Sequence, residues 1–524
     1  MDVTVREAAE AVGGTLLAGD PDTIIRQISL NSREIGAHTL FVPIIGEKVD
    51  AHRFLSGAFS EGAVCAFTSE HGTKSDLEHD AELRNIFSEG KPGDASGTKT
   101  GKAASLAHPA LIAVRDTRTA LQALGCWVRE HKARIPFVGV TGSVGKTTTR
   151  EMIACALSSE KRVYATKGNS NSQVGVPITV AETDPEAEIG VIELGMSEFG
   201  EMHRIAEVAR VNAAVMTNIG ISHINQLKTQ ENILKEKLHI LDGTPDGTPL
   251  FLNGDDPLLC TLSEEKIHAY GIAEGHHIPL VFYGTGENAD WRAEDISLSD
   301  GIPRFRLRIP ESRDRKEQEI TCCLQVAGMH MVLNAAAAIA VSDYFGVNPL
   351  PAAKALSAFS GVDGRGEIME IGGVRIIDDS YNAAPASMKA GLSVLCDLPA
   401  AGRRIAVLAD MLELGEQEKA YHREVGSYIR ENKLRLDEVL LYGPLSAYIA
   451  EGIAGTGAES ASEKTAQAGG EILRKNPDVR HFEDLDALSE TLVSELRPGD
   501  SILIKGSNAM GLRKVIERLR ENSR

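Results

Sequence analysis

The chain has no stretch approaching the roughly 18 unbroken apolar residues that a membrane-crossing helix needs, so no membrane insertion is expected. Its opening, Met1-Asp2-Val3-Thr4-Val5-Arg6-Glu7, lacks the basic segment and apolar run of a secretory signal. Cysteine is sparse: Cys65, Cys126, Cys155, Cys260, Cys322, Cys323 and Cys396 are scattered, odd in number and without a C-x-x-C pair. That usage speaks against a disulfide framework and fits thiols kept reduced. Positive charge is also in deficit, with a net charge of −19 and a pI near 5.3. Such a chain is repelled on average by nucleic acid and by anionic membranes, although a local basic pocket for phosphates remains compatible with it. There is no internal repeat. These absences lead to the expectation of a cytoplasmic protein acting on soluble material, with no nucleic-acid partner.

What is present is ordinary globular material: 524 residues, 42% hydrophobic and 25% charged, enough for about three domains, each with its own core. The first part, 1–115, reads as mixed α/β, with a helix over 5–12, strands over 39–43 and 110–114, and a long, mobile polar insertion over 70–108. A helix over 119–131 opens the second part, 116–360. There, apolar strands over 137–140, 190–194, 213–219 and 250–253 alternate with helices over 147–158, 201–209 and 230–241. The alternation predicts a parallel sheet covered by helices. Two antiparallel strands over 302–326 and an alanine-rich helix over 334–341 complete it. The third part, 361–524, places strands over 375–378, 405–408, 438–442 and 501–504 between helices over 387–395, 419–432 and 511–520. That pattern predicts a second, Rossmann-like doubly wound sheet, with 452–470 as a loop. The fold class is therefore α/β in three domains.

The sharpest motif is Gly139-Val140-Thr141-Gly142-Ser143-Val144-Gly145-Lys146-Thr147-Thr148-Thr149, between an apolar strand and a helix. Backbone N–H groups and the helix N-terminus there suit phosphates. Lys146 would reach the terminal phosphates, and the Thr147 hydroxyl would ligate Mg²⁺. Val140 stands where the general pattern has its first glycine, and Gly142 supplies flexibility instead. A guanine-reading N-K-x-D or T-K-x-D should follow the loop. The only match, Thr73-Lys74-Ser75-Asp76, precedes it, which weakens a GTPase reading. Two further polar residues sit at strand ends, Glu193 after Ile189-Gly190-Val191-Ile192 and His223 after Thr217-Asn218-Ile219-Gly220-Ile221-Ser222. Ligands of doubly wound sheets bind at those ends. Glu193 is a natural hard-oxygen ligand for magnesium and His223 a less typical one. Taken alone, Glu193 reads equally well as a solvated loop carboxylate, and His223 as a surface histidine.

The order of these segments resembles the Mur ligase family. The resemblance rests on the phosphate loop, Gly168-Asn169-Ser170-Asn171, Gly175-Val176-Pro177, Glu193-Leu194-Gly195-Met196, Thr217-Asn218-Ile219, His223, Gly328-Met329-His330-Met331-Val332-Leu333-Asn334 and Gly364-Arg365. It covers the chain apart from the insertions near 70–108 and 452–470. Within the family, Asp378-Asp379-Ser380-Tyr381-Asn382-Ala383-Ala384-Pro385, Leu408-Ala409-Asp410-Met411-Leu412-Glu413-Leu414-Gly415, Ile504-Lys505-Gly506-Ser507, Asn31-Ser32-Arg33 and the segment from Phe41 to His52 resemble the branch that adds D-alanyl-D-alanine.

The resemblance implies a UDP-sugar-binding domain, a central ATPase domain and a Rossmann-like C-terminal domain. It implies ATP and Mg²⁺ as cofactors and, as partners, UDP-N-acetylmuramoyl-tripeptide and D-alanyl-D-alanine, ligated through an acyl phosphate in peptidoglycan precursor synthesis. A monomer is expected. It further implies that Lys146, His223 and Lys237 serve catalysis. Lys237 aligns without a gap from His223 with a lysine that family members often carry as a carbamate, and would join Thr147, Glu193 and His223 at the metal. Thr141, Gly142, Ser143, Val144, Gly145, Lys146, Thr147 and Thr148 would hold ATP, with Asn334 and His330 near adenine and Arg365 and Asp379 reaching across the domain gap. Ser32, Arg33, Gly46 and His52 would line the UDP site. Asn169 and Asn171 would face the tripeptide, and Tyr381 and Asn382 would also bind substrate. The sequence departs from the family at Met331, Asn225, Ser172 and Gln173. Competing readings are another Mur ligase, a folylpolyglutamate-synthetase-like ligase, which the N-terminal UDP-sugar segments disfavour, or a non-catalytic nucleotide switch.

Overall fold

The structure is a computed structural model that describes residues 1–46, 48–88, 109–311, 315–455 and 476–522. Three main sheets follow one another along the chain. The first has the order Thr15–Ala18, Ala110–Ala113, Cys65–Thr68, Thr39–Phe41, Gln27–Ser29, parallel except for its first pair. Among the described residues, the second has nine strands and the third six. The runs of Val, Ile and Leu expected for strands buried on both faces lie at the centre of the second sheet. There Phe137–Thr141 sits between Ile189–Glu193 and Ala213–Met216, all three strands parallel and fully buried.

The insertion over 70–108 is corrected in its first half. Lys74–His79 and Ala81–Ser88 are helices, and 89–108 lies outside the described residues. Polar composition hid a sparse apolar stripe: Leu77 and Leu83 are buried against Leu17, Phe41, Leu55 and Phe59. Each such burial contributes about 2 kcal/mol, enough to dock a short helix. Thr73-Lys74-Ser75-Asp76 is a capping box: Thr73 Oγ1 accepts from the Asp76 N–H at 3.3 Å, and an Asp76 carboxylate oxygen accepts from the Thr73 N–H at 2.8 Å.

Two further expectations are corrected. The antiparallel extension of the second sheet has three strands, because Trp291–Ser299 precedes Ile302–Ile309 and Gln318–Cys323. Its outward half is polar, so its alternation reads weakly. The loop over 452–470 begins as helix, Ala447–Ala454, and 456–475 lies outside the described residues. Gly426 and Gly452 explain the close packing of that helix on Glu418–Glu431: an added Cβ at Gly452 would meet the Arg423 carbonyl oxygen at 2.1 Å. The third sheet runs Glu367–Ile371, Val374–Asp379, Ser501–Lys505, Arg404–Ala409, Glu438–Tyr442, Asp478–Phe482, parallel beyond its first pair.

Among the described residues, no helix is long and apolar enough to cross a membrane. The first sheet is tied to the second by the helix Thr117–His131. Thr117 Oγ1 donates to the Pro43 carbonyl at 2.5 Å, and the Ile28 N–H donates to Glu182 at 3.0 Å.

Candidate active site

A cavity of about 490 Å³ opens where the carboxyl ends of the second and third sheets face each other. In doubly wound sheets this is where ligands bind, because loops and helix N-termini converge there. The register sets its floor. Glu193 pairs with Val140 and Met216 with Thr141, so the loop leaving Phe137–Thr141 has Glu193 on one side and Thr217 on the other.

The loop is pinned from the Thr217 side. Asn218 Oδ1 accepts from the Val144 N–H at 2.9 Å, Asn218 Nδ2 donates to the Val144 carbonyl at 3.0 Å, and Thr217 Oγ1 donates to the same carbonyl at 2.6 Å. Ser143 Oγ accepts from the Gly220 N–H at 2.9 Å. This approach demands glycine at Gly142, where φ is +149° and an added Cβ would fall 1.9 Å from Thr217 Oγ1. Gly142→Ala should therefore lower the melting temperature and weaken ATP binding by more than about tenfold, since strain and a clash add at one position. Calorimetric titration with ATP beside a thermal melt checks this, and near wild-type affinity would refute the pinned-loop account.

Lys146 opens the helix Lys146–Leu157, and its Nζ donates to the Gly142 carbonyl at 2.8 Å. Lys237 Nζ, from the helix Gln230–Leu238, donates to that same carbonyl at 3.0 Å and is buried. Burial and the neighbouring Lys146 charge push the Lys237 amine well below the usual lysine range. Burial also lowers Lys146, which Glu193 partly restores. Lys235, two residues earlier on the same helix, instead lies over the Tyr270 ring, 5.2 Å from its centroid.

Glu193 is buried and held on both oxygens. Thr147 Oγ1 donates to one at 2.8 Å and Asn171 Nδ2 to the other at 2.7 Å. Asn171 thus lines the cavity but spends its amide on Glu193. His223 has a left-handed backbone, φ 63°, and faces Glu413, also left-handed with φ 64°. A Glu413 carboxylate oxygen lies 3.1 Å from His223 Nδ1, at an angle that makes no hydrogen bond. Burial, then the charges of Lys237 and Lys146, bring the imidazole down to about 4, so it is neutral at pH 7 with one ring-nitrogen lone pair free to ligate. Thr141 Oγ1 is fully buried beside the loop and has no hydrogen-bond partner among the described residues. A hydroxyl, a carboxylate, a neutral imidazole and an orphaned buried oxygen fit a hydrated hard divalent cation with phosphates.

The opposite wall comes from the helix His330–Tyr344 and the third sheet. Asn334 Oδ1 accepts from Thr149 Oγ1 at 3.1 Å, and its Nδ2 lies 3.8 Å from Met331 Sδ, a weak acceptor. His330, Arg365, Asp379, Tyr381, Asn382, Asn169, Ser143, Val144, Gly145 and Thr148 also line the cavity. The Arg365 guanidinium stacks 4.1 Å from the Tyr381 ring centroid. Asp379 and Lys505 are register partners at the ends of neighbouring strands, with Lys505 Nζ 2.6 Å from Asp379 and 2.9 Å from the Asn382 carbonyl.

Ser32, Arg33, Gly46 and His52 are not brought into this cavity; they lie with the first sheet. His52 packs between Asp50 and Ser69. Its side chain is fully buried, with Nδ1 2.6 Å from Asp50 and Nε2 accepting from the Ser69 N–H at 3.1 Å. Both ring nitrogens are used, so His52 braces the loop. Sequence reasoning assigned no role to Thr217, Asn218, Glu413 or Lys505. A lysine closing the apolar strand Ser501–Lys505 was the available signal for the last.

A Gly-rich Lys-Thr loop on one sheet, facing a Rossmann-like sheet that presents Arg365 and Lys505 to the same cavity, is the arrangement expected of an ATP-dependent ligase. Residues 140–342 match the Mur ligase middle domain, and residues 364–508 match the Mur ligase glutamate ligase domain. The chain is 34% identical to the UDP-N-acetylmuramoyl-tripeptide--D-alanyl-D-alanine ligase of Bacillus subtilis, covering 99% of this chain and 98% of that one. It is 28% identical to the Escherichia coli protein of the same name, over 100% and 99%. The crystal structure of MurF from Acinetobacter baumannii superposes with a TM-score of 0.77 at 25% identity, over 99% of both chains. The chain belongs to the Mur ligase family.

Proposed function

We propose that this chain, a cytoplasmic monomer, uses ATP and Mg²⁺ to join D-alanyl-D-alanine to UDP-N-acetylmuramoyl-tripeptide, a step of peptidoglycan precursor synthesis. The three sheets would mark three domains, over 1–115, 116–360 and 361–524, with Ser32, Arg33 and Gly46 of the first receiving the UDP group. The observation that carries this reading is the single cavity in which Lys146, Glu193 and His223 meet Arg365, Asp379 and Tyr381. Full-length similarity to ligases named for this reaction supports it.

A carboxylate is a poor electrophile. Its oxygen would attack the γ-phosphorus of ATP, giving an acyl phosphate and ADP. The amine of D-alanyl-D-alanine would then add to the acyl carbon, and the tetrahedral intermediate would expel phosphate and lose a proton. Lys146 and the loop N–H groups neutralise charge on the transferring phosphoryl group. Thr147, Glu193 and His223, with Lys237 as a carbamate, would hold Mg²⁺, which supplies Lewis-acid stabilisation of phosphate oxygens. Asn334 and His330 would take the adenine side, Arg365 and Asp379 would reach the nucleotide across the gap, and Asn169, Tyr381 and Asn382 would position peptide.

Phosphate release should require ATP, UDP-N-acetylmuramoyl-tripeptide and D-alanyl-D-alanine together. Release with a single amino acid or a folate in place of the dipeptide and tripeptide substrates would reject the reading.

A further inference from the structure

A second group of metal-ligating side chains lies outside the cavity. His203 is on the first turn of the helix Glu201–Ala209, His239 starts the single turn His239–Leu241 that follows the Lys237 helix, and Asp242 caps that turn. One Asp242 oxygen, Oδ2, lies 2.6 Å from His203 Nδ1 and 2.7 Å from His239 Nδ1. The two rings stand edge to face at 6.2 Å, and the three ligand atoms lie within 4.8 Å of one another. Asp242 is mostly buried at 15% side-chain exposure, whereas His239 at 32% and His203 at 55% leave the group reachable from solvent. Two imidazole nitrogens aimed at one carboxylate oxygen is more convergence than a capping aspartate needs, and it brings together ligand types that zinc favours.

We propose that His203, His239 and Asp242 form a binding site for one divalent transition-metal ion of the zinc type, distinct from the nucleotide cavity and independent of the function proposed above. Zinc at about 2.0–2.1 Å from each ligand atom holds neighbouring ligand atoms about 3.3 Å apart. The two present separations must therefore each open by about 0.6 Å, which small rotations of the His203 and His239 side chains provide. Three protein ligands leave the fourth position to water. The nitrogen-rich donor set discriminates against Mg²⁺, which takes oxygen ligands and gives up its waters reluctantly. The bound ion would staple the helix Glu201–Ala209 to the end of the helix that carries Lys237. That joint is otherwise made by the Met202 N–H donating to Glu236 at 3.0 Å and by apolar packing.

The test uses tag-free, full-length protein stripped of transition metals and kept in millimolar Mg²⁺. Zinc is titrated against a chromophoric chelator, with a thermal melt in parallel. His203→Gln is the decisive variant, because glutamine can still donate a hydrogen bond to Asp242 but is a poor zinc ligand. Wild type should hold one more equivalent of Zn²⁺ than His203→Gln, or bind the same equivalent at least about tenfold more tightly. Zinc should raise the melting temperature of wild type only, while ligase turnover of the variant stays at the wild-type level. Asp242→Asn should repeat the loss of zinc binding. Any zinc held by His223 and Glu193 would appear equally in wild type and in both variants. Equal stoichiometry and affinity in wild type and His203→Gln, whether both bind zinc or neither does, overturns the proposal.

Discussion

Lys146→Ala is expected to lower kcat by at least about 10³-fold while the protein remains folded. A positioned cation on a transferring phosphoryl group contributes several kcal/mol of transition-state stabilisation in a water-poor site. Lys146 is placed for that work by opening a helix directly after the loop, where phosphates would meet both its charge and the helix N-terminus. Its Nζ donates to the Gly142 carbonyl, which also receives Lys237, so that oxygen is not left bare in the variant. The melting temperature should accordingly move little. Lys146→Arg should not restore the rate, because a planar fork does not reproduce a compact ammonium at the end of a short approach. Phosphate release at saturating ATP, read beside a thermal melt, checks both statements. A variant retaining more than a tenth of the wild-type rate would remove the loop from the chemistry.

The second large effect concerns Lys237. Burial and the Lys146 charge hold the Lys237 amine well below the usual lysine range, which favours its neutral form with a free lone pair. In the proposed carbamate that lone pair would attack the carbon of CO₂, the nitrogen would give up one proton, and an anion with two oxygens would replace the amine. The change would give Lys146 a favourable neighbour. Full-length enzyme equilibrated with ¹³C-bicarbonate should show one carbamate resonance that is absent in Lys237→Met. Because a protonated amine cannot react, the resonance should fade as pH falls. Turnover of Lys237→Met should drop on the order of 10²-fold. A wild-type spectrum without that resonance at neutral pH would show that the lysine acts as a bare amine.

The parts of this molecule that were legible in the sequence are those where one physical signal dominates. Short apolar runs at 137–141, 189–193 and 213–216, set between amphipathic helices, read as buried strands, and glycines with Lys-Thr between strand and helix have few other uses. The helices Lys74–His79 and Ala81–Ser88 escaped because few buried side chains, Leu77 and Leu83 among them, hold them in otherwise polar sequence. Lys505 escaped for a different reason. Its significance lies in a register pairing with Asp379, 126 residues away in sequence, which no local pattern encodes. His52 shows another limit: its sequence neighbourhood does not reveal that Ser69 and Asp50 stand on its two nitrogens. Composition reveals that a side chain has chemistry to offer; only the tertiary arrangement reveals whether that chemistry is already spent.

One carbonyl shared by two lysines makes those lysines energetically inseparable. Deleting Lys146 relieves the Lys237 amine of a repulsive neighbour and hands it the whole acceptor, so that amine becomes more basic than it is in the intact protein. Losses measured one at a time will therefore fail to sum, and the double replacement will show epistasis of a size that a thermodynamic cycle can read directly. A relative that has changed one of the pair should carry a compensating change at the other.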